Sequence, residues 1–429
     1  MSLKNNFCPS PWFHMRINNT GFFEYCRWQQ NRDRTSNYNI ENTTPQQFFQ
    51  KEMSDIRQSM LQGVEIPGCQ DCTIMEQHGK VSGRQRQLLK IGATVSDFEK
   101  SVLSSLWMQQ FRSSDQDRGI TKQWPQDWQI DLGNFCNSAC IFCSPHSSSR
   151  LASEFKRLHL ISEVPSRAWC DDPRLLHKFI DTLIDSPRLT YLHFIGGETL
   201  ITPAFCVILQ ALVDHDLASK ITVGFTTNLT TWNQEIVDLL KKFQQINLGM
   251  SIECVHDLND YVRYGSKLQR TLQLVDQWKQ IAQERNWLMQ LRITPTILSI
   301  WHLDTIYAYA QQHGIAVESC NFLDEPAYLR PSVLPYEMRI QVIEKLRTTM
   351  SGMRAKNQSK IVNTRNPHVV SDAILQDLQS YIHYLKNAPD ESHRLPDMVQ
   401  YIKTLESSRK NRILDYLPEY ENILRSAGY

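Results

Sequence analysis

The chain has 429 residues, a length that allows two or three domains. Lys plus Arg total 46 against 45 Asp plus Glu, a net charge of +1 that gives no electrostatic case for nucleic acid or an anionic membrane. No apolar run reaches the ~20 residues of a membrane helix, and MSLKNNFCPSPWF lacks the apolar stretch of a signal peptide, which points to the cytoplasm and, for its cysteines, away from disulfides.

In chain order, NNTG at 18–21 between FHMRI and FFEYC predicts a β-hairpin. TPQQFFQKEMSDIRQSMLQG predicts a helix from Thr44 that stops at Gly63, with Phe48, Met53, Ile56 and Met60 near one face. The loop GVEIPGCQDC follows, then a connecting stretch with a helix near VSDFEKSVLSSLWMQQF. From Trp128 the pattern alternates. Strands are expected at 128–134, 189–197, 221–228, 246–253, 288–296 and 314–322, with amphipathic helices between them, such as 171–185 and 303–314. Six such units predict an α/β fold, a partial parallel (β/α)6 barrel with its chemistry on the loops after the strands. Beyond about residue 325 only helical spacing remains. The expected division is an N-terminal module over 1–90, a linker over 91–125, the barrel over 126–325 and a helical segment over 326–429.

Seven of the eleven cysteines fall in sets. CNSACIFC places Cys136, Cys140 and Cys143 at CxxxCxxC, directly after the strand WQIDLGN. Thiolates are soft ligands for zinc or iron–sulfur clusters. Three of them on a four-iron cluster leave one iron free for a small molecule; a zinc with a remote fourth ligand, or a cluster with a distant fourth cysteine, fits the same spacing. Cys8, Cys26, Cys69 and Cys72 form a second set, suited to a zinc ribbon or to a fully ligated cluster. Cys170, Cys206, Cys254 and Cys320 stand alone and read as small buried apolar residues. His14, His78 and His146 lie near the cysteine motifs and read as surface or supporting groups, and the run at 147–149 reads as a helix cap.

With Phe142 before its last cysteine, CxxxCxxC resembles the signature of the radical S-adenosylmethionine (SAM) enzymes. That resemblance implies a [4Fe–4S] cluster whose free iron binds SAM and whose reduced form cleaves it to a 5′-deoxyadenosyl radical. FIGGETL at 194–200 resembles the family's GGEP motif, with Thr199 in place of proline. It implies close backbone approach to the ligand at Gly196 and Gly197, and Glu198 as acceptor for the SAM ammonium. TTNLT at 226–230 resembles the TNG-like turn, with Leu229 where glycine is common, and makes Thr227 and Asn228 candidates. SIE at 251–253 stands where the family has S-x-D, so Ser251 and Glu253 are candidates for SAM ribose or carboxylate contacts, and NDYVRYGS adds Arg263 for the carboxylate.

FCPSPWFHMRINNTGFFEYC and GCQDCTIMEQHGKVSGRQRQ together resemble the twitch or SPASM auxiliary-cluster module, placed here before the barrel. The likeness continues through CSPHSSS and SSRKNRILDYLPEYENILRSAGY, so it covers nearly the whole chain. It implies a second, auxiliary [4Fe–4S] cluster on Cys8, Cys26, Cys69 and Cys72. It also implies a ribosomally made precursor peptide as substrate, with crosslinking, epimerisation or backbone excision as the outcome. The implied partners are a separate winged-helix peptide-recognition protein and an electron donor such as flavodoxin or ferredoxin. A radical SAM dehydrogenase or similar enzyme of a small molecule, and a non-catalytic electron-transfer protein, are the alternative readings. Hydrogen abstraction needs positioning and dryness, so no general acid or base is assigned. Glu318, Asp324 and Glu325 are suggested as substrate contacts by position alone.

Overall fold

A computed structural model describes residues 7–26, 37–66, 68–90, 105–165, 168–319, 322–359 and 367–429. Of the connecting stretch, the helix Ser105–Gln116 is described, while 91–104, like Cys320 at the sixth strand, lies outside the described residues.

Eight strands form one sheet in the order β10-β9-β7-β6-β5-β3-β1-β2. The six expected strands are β3 (Asp127–Asp131), β5 (Tyr191–Ile195), β6 (Thr222–Thr227), β7 (Gln245–Ser251), β9 (Leu288–Ile293) and β10 (Ala316–Ser319). All six run parallel, and the helices Pro173–Ile184, Pro203–Asp214, Leu268–Arg285 and Leu303–His313 lie between them in sequence. This is an α/β fold with a mostly parallel sheet, the pattern of a partial barrel. Two short strands, β4 (Ala139–Cys140) and β8 (Arg263–Tyr264), pair antiparallel apart from it.

Alternation along the strands sorts the two faces of the sheet. Trp128, Ile130, Leu192, Phe194, Val223, Phe225, Leu248, Met250 and Leu291 are buried on one face. That face meets the helices: the Phe194 ring lies 4.9 Å from Phe205, which lies 5.5 Å from Phe225, itself 5.9 Å from Trp278. Each such side chain contributes about 1.5–3 kcal/mol of burial. The opposite face is polar. Register places Arg16, Gln129, His193, Gly224 and Asn247 in one row across five strands.

The hairpin at NNTG does not stand apart from the barrel. Gly21, at φ 87°, closes the turn, with its N–H donating to Asn18 O at 3.0 Å. The first hairpin strand, β1 (His14–Ile17), then joins the edge of β3 in parallel, from His14 opposite Asp127 to Ile17 opposite Ile130. β2 (Phe23–Glu24) pairs antiparallel on its outer side.

The helix expected from Thr44 is interrupted. Thr44 caps Pro45–Gln47 by accepting from Gln47 N, a single π turn covers Phe48–Glu52, and the helix resumes over Ser54–Gln62 to end at Gly63 in the left-handed region. The C-terminal segment is helical over Tyr336–Ser359, Pro367–Asn387 and Leu395–Glu406. No described helix is long and apolar enough to cross a membrane.

Candidate metal and cofactor site

Because the strands are parallel, the loops that follow β3, β5, β6 and β7 all emerge at one end of the sheet. The loop after β3 carries Cys136, Cys140 and Cys143 and closes at Ser148, whose hydroxyl caps the helix Ser149–Arg157 by accepting from Leu151 N at 3.1 Å. β4 lies inside that loop, and its pairing sets Cys140 opposite Arg263. Cys143 N donates to Cys140 O at 3.1 Å, which brings the last two cysteines onto one tight turn.

The GGE loop packs against the start of the cysteine loop. A Cβ on Gly197 would lie 2.1 Å from Phe135 O, and one on Gly196 would lie 2.4 Å from Asp131 Oδ1. The close approach that these glycines permit is therefore to protein, between the ends of β5 and β3. Glu198 N donates to Phe135 O at 2.8 Å. The buried Glu198 carboxylate accepts from Thr227 Oγ1 at 2.8 Å, Asn228 N at 2.5 Å and Leu200 N at 3.2 Å. Burial raises its pKa, opposed by these donors. Asn228 Nδ2 reaches Asn137 Oδ1 at 2.9 Å and Ser138 Oγ at 3.1 Å, between the first two cysteines, and lies 3.8 Å from Cys136 Sγ. Leu229 adopts φ 59°, the left-handed conformation that suits the glycine common at this position in the family turn.

Glu253 and Arg263 form a buried ion pair at 2.9 Å. The second Glu253 oxygen accepts from Thr294 N at 2.8 Å. The Arg263 guanidinium also lies 6.0 Å from the centre of the Phe142 ring. Burial works against its charge, but Cys140, Glu253 and Cys136 outweigh burial and hold its pKa above the ordinary value. Ser251 ends β7 opposite Arg292. The fold thus brings Cys136, Cys140, Cys143, Phe142, Glu198, Thr227, Asn228, Glu253 and Arg263 to one end of the sheet, with Gly196 and Gly197 beneath.

Cys8, Cys26, Cys69 and Cys72 line one cavity with Tyr25, Met60, Asp71 and Arg84. Cys8 lies ahead of β1, Cys26 follows β2, and Cys69 and Cys72 sit at the start of the helix Gln70–Gln77. The two sets share an electrostatic character. Burial first, and neighbouring thiols or acidic groups second, push Cys69 and Cys136 up to about 11 and Cys143 up to about 12. Packed thiols of this kind hold charge only when a cation shares the site, which is the chemistry of a thiolate-bound metal. Among the described residues no three His, Cys, Asp or Glu side chains close on a single ion. The two thiol sets occupy a loop and a cavity wall instead.

The other named residues fall elsewhere. His14 is buried and pairs with Asp127 at 2.9 Å, His78 packs edge-on against Phe322 and Tyr384, and His146 is exposed. Glu318 pairs with Arg86 and, at 2.9 Å, with Arg292. Arg330 takes Asp324 at 2.8 Å, while Glu325 accepts from Ala327 N at 2.9 Å. Asn137 and Ser138, at variable positions inside the cysteine motif, and Tyr401 and Arg409, from the C-terminal segment, also belong to the site. The polar inner row had a readable signal: strands packed on both faces would be apolar throughout, whereas LMQLRI and YLHFI place polar residues at alternate positions.

Residues 130–291 match the sequence model of the radical SAM superfamily. They form a radical SAM domain. No curated protein matches the chain. Among solved structures, Streptococcus suis SuiB bound to precursor peptide SuiA is 13% identical, over 74% of this chain and 62% of that one, at a TM-score of 0.34. anSMEcpe with bound AdoMet is 15% identical over 56% of this chain and 64% of that one, at 0.39. The methyltransferase TsrM from Kitasatospora setae is 12% identical over 44% of this chain and 34% of that one, at 0.32. The chain spans less than two thirds of the length of each.

Proposed function

We propose that this chain is a radical SAM enzyme with two [4Fe–4S] clusters, an open one on Cys136, Cys140 and Cys143 and an auxiliary one on Cys8, Cys26, Cys69 and Cys72. The observation that carries the first assignment is the β4–β8 pairing, which holds a buried cation, Arg263, opposite the central cysteine of a three-thiol loop. When bound and reduced, the open cluster supplies the electron that splits SAM to a 5′-deoxyadenosyl radical.

The chain's own residues bind and orient. Phe142 walls the cofactor. Asn228 and Thr227 hold the turn after β6 against the cysteine loop, and Glu198 ties both to the GGE loop. The Arg263–Glu253 pair sets a fixed charge pattern where the amino-acid moiety of SAM would lie, and Ser251 borders the ribose.

The substrate in this reading is a ribosomally synthesised precursor peptide, which the auxiliary-module resemblance favours. A cavity of about 340 Å³ supports it: Lys80 and Arg86 come from the N-terminal module, Gln290 and Glu318 from β9 and β10, and Asp377 and Ser380 from the helix Pro367–Asn387. A chain lying there touches all three parts. Oppositely charged groups pair across it, as in Lys80–Asp377 at 3.5 Å, so it suits a substrate that hydrogen-bonds without a large net charge.

Anaerobic reconstitution followed by SAM and a strong reductant should yield 5′-deoxyadenosine, and Cys143→Ala should abolish it. No 5′-deoxyadenosine from the parent under any reducing condition overturns the enzyme assignment. Mass spectrometry of a co-expressed candidate peptide tests the substrate: loss of two hydrogens marks crosslinking and loss of residue mass marks excision.

A further inference from the structure

The cysteine loop is held from the far end of the chain. Arg409, 6% exposed, donates from Nη2 to Ala139 O at 2.9 Å and to Glu154 Oε2 at 2.6 Å, and from Nε to Glu154 Oε1 at 3.0 Å. Its guanidinium lies 4.4 Å from the centre of the Tyr264 ring, and Tyr264 is the residue paired with Ala139. Eight residues earlier in the segment, Tyr401 Oη donates to Ile141 O at 2.7 Å, buried. The backbone carbonyls on either side of Cys140 are thus each bonded by a side chain more than 250 residues away. Arg409 Nη1 is also buried and carries no hydrogen bond in the structure.

We infer that Arg409 is a positioning residue for the cluster loop: with Tyr401, it fixes the backbone around Cys140 in its ligand-bearing shape and places a second buried cation beside the cluster. This rests on the open-cluster reading above. Two cations flanking Cys140 stabilise the more negative, reduced form of a bound cluster. The planar fork matters separately from the charge, because lysine cannot span Ala139 O and both Glu154 oxygens.

Three variants separate these roles: Arg409→Lys keeps the charge and loses the fork, Arg409→Gln loses both, and Tyr401→Phe loses one hydroxyl in an otherwise unchanged ring. After anaerobic reconstitution, the readouts are the rate of iron loss to a chelator and the midpoint potential of the paramagnetic signal that responds to SAM. The expected result is iron loss several-fold faster in all three, with the midpoint moved to more negative values in Arg409→Gln and held in Arg409→Lys. Parent-like release and potential in all variants overturn the inference. Should Arg409→Gln fail to fold, Arg409→Lys and Tyr401→Phe decide it by iron release, and parent-like rates in both overturn it. A parent with no SAM-responsive signal overturns the open-cluster reading and this inference together; a responsive parent with unaffected variants overturns this inference alone.

Discussion

Arg263 Nη1 lies 2.9 Å from Glu253 Oε1, with both side chains almost fully buried. Each group thus depends on the other to stay charged in the interior. Glu253→Gln should cost about 3–5 kcal/mol, because it leaves a buried guanidinium facing a neutral amide. Urea unfolding of the iron-free chain measures this. The double variant E253Q/R263M should recover a large part of the loss, while SAM binding to reconstituted protein stays impaired. Single and double variants of equal stability would show that the pair is not energetically coupled.

The four thiols around the N-terminal cavity should hold their own iron. Replacing Cys69 and Cys72 by Ala should lower the iron content after reconstitution from about eight per chain to about four. The signal that responds to SAM should persist, since it belongs to the other set. Unchanged iron, with zinc present in the parent, would identify the N-terminal site as a zinc ribbon.

Leu229 combines two opposed effects at one position. Its left-handed backbone, at φ 59°, costs roughly 1–2 kcal/mol for a residue with a Cβ, while its side chain is fully buried. Truncation to Ala should cost about 2–5 kcal/mol through the cavity it opens. Glycine, which removes more atoms still, should be no worse than alanine at this site because it relieves the backbone. Denaturant midpoints of Leu229→Ala and Leu229→Gly test this order, and a clearly less stable glycine variant would rule out the strain.

The His302 ring stacks on His256 with centroids 4.1 Å apart and planes 7° from parallel. Burial first, then the charges of His256 and Lys345, lower its pKa from 6.5 to about 4. A histidine held neutral in the folded state binds its proton first in the unfolded chain. Above the unfolded pKa it has no effect on stability, and the penalty grows as pH falls from about 6.5 towards about 4. Urea midpoints of the iron-free chain should drop through that window, and His302→Gln should flatten the drop. A parallel fall in parent and variant would remove His302 as the cause.

The strands of the barrel are legible because each combines a short β-rich run with turn residues at its ends, and because helices of matching apolar spacing lie between. The motif loops are legible for the same reason: each follows its own strand, and parallel strands gather such loops at one end. What local pattern cannot show is a contact set by tertiary geometry. Nothing in SSRKN says that Arg409 ends on Ala139, 270 residues earlier. FIGGETL suggests glycines facing a ligand, yet only the packed loops reveal the backbone of Phe135 against Gly197. The single π turn at Phe48–Glu52 likewise leaves no mark in the apolar spacing of that helix.

The parallel ladder between β1 and β3 joins segments 113 residues apart in sequence. β1 is made first and can pair early only with the short β2; the edge that meets β3 must wait, with its hydrogen-bonding groups exposed, until the whole stretch up to Asp127 has left the ribosome. The same ladder closes an edge of the barrel that would otherwise be open to pairing between molecules. A barrel expressed without its first 90 residues would therefore present a bare β3 edge, and self-association would be its expected fate. The N-terminal cysteines cannot be treated as a detachable cassette: the segment that carries them is also the selvedge of the sheet.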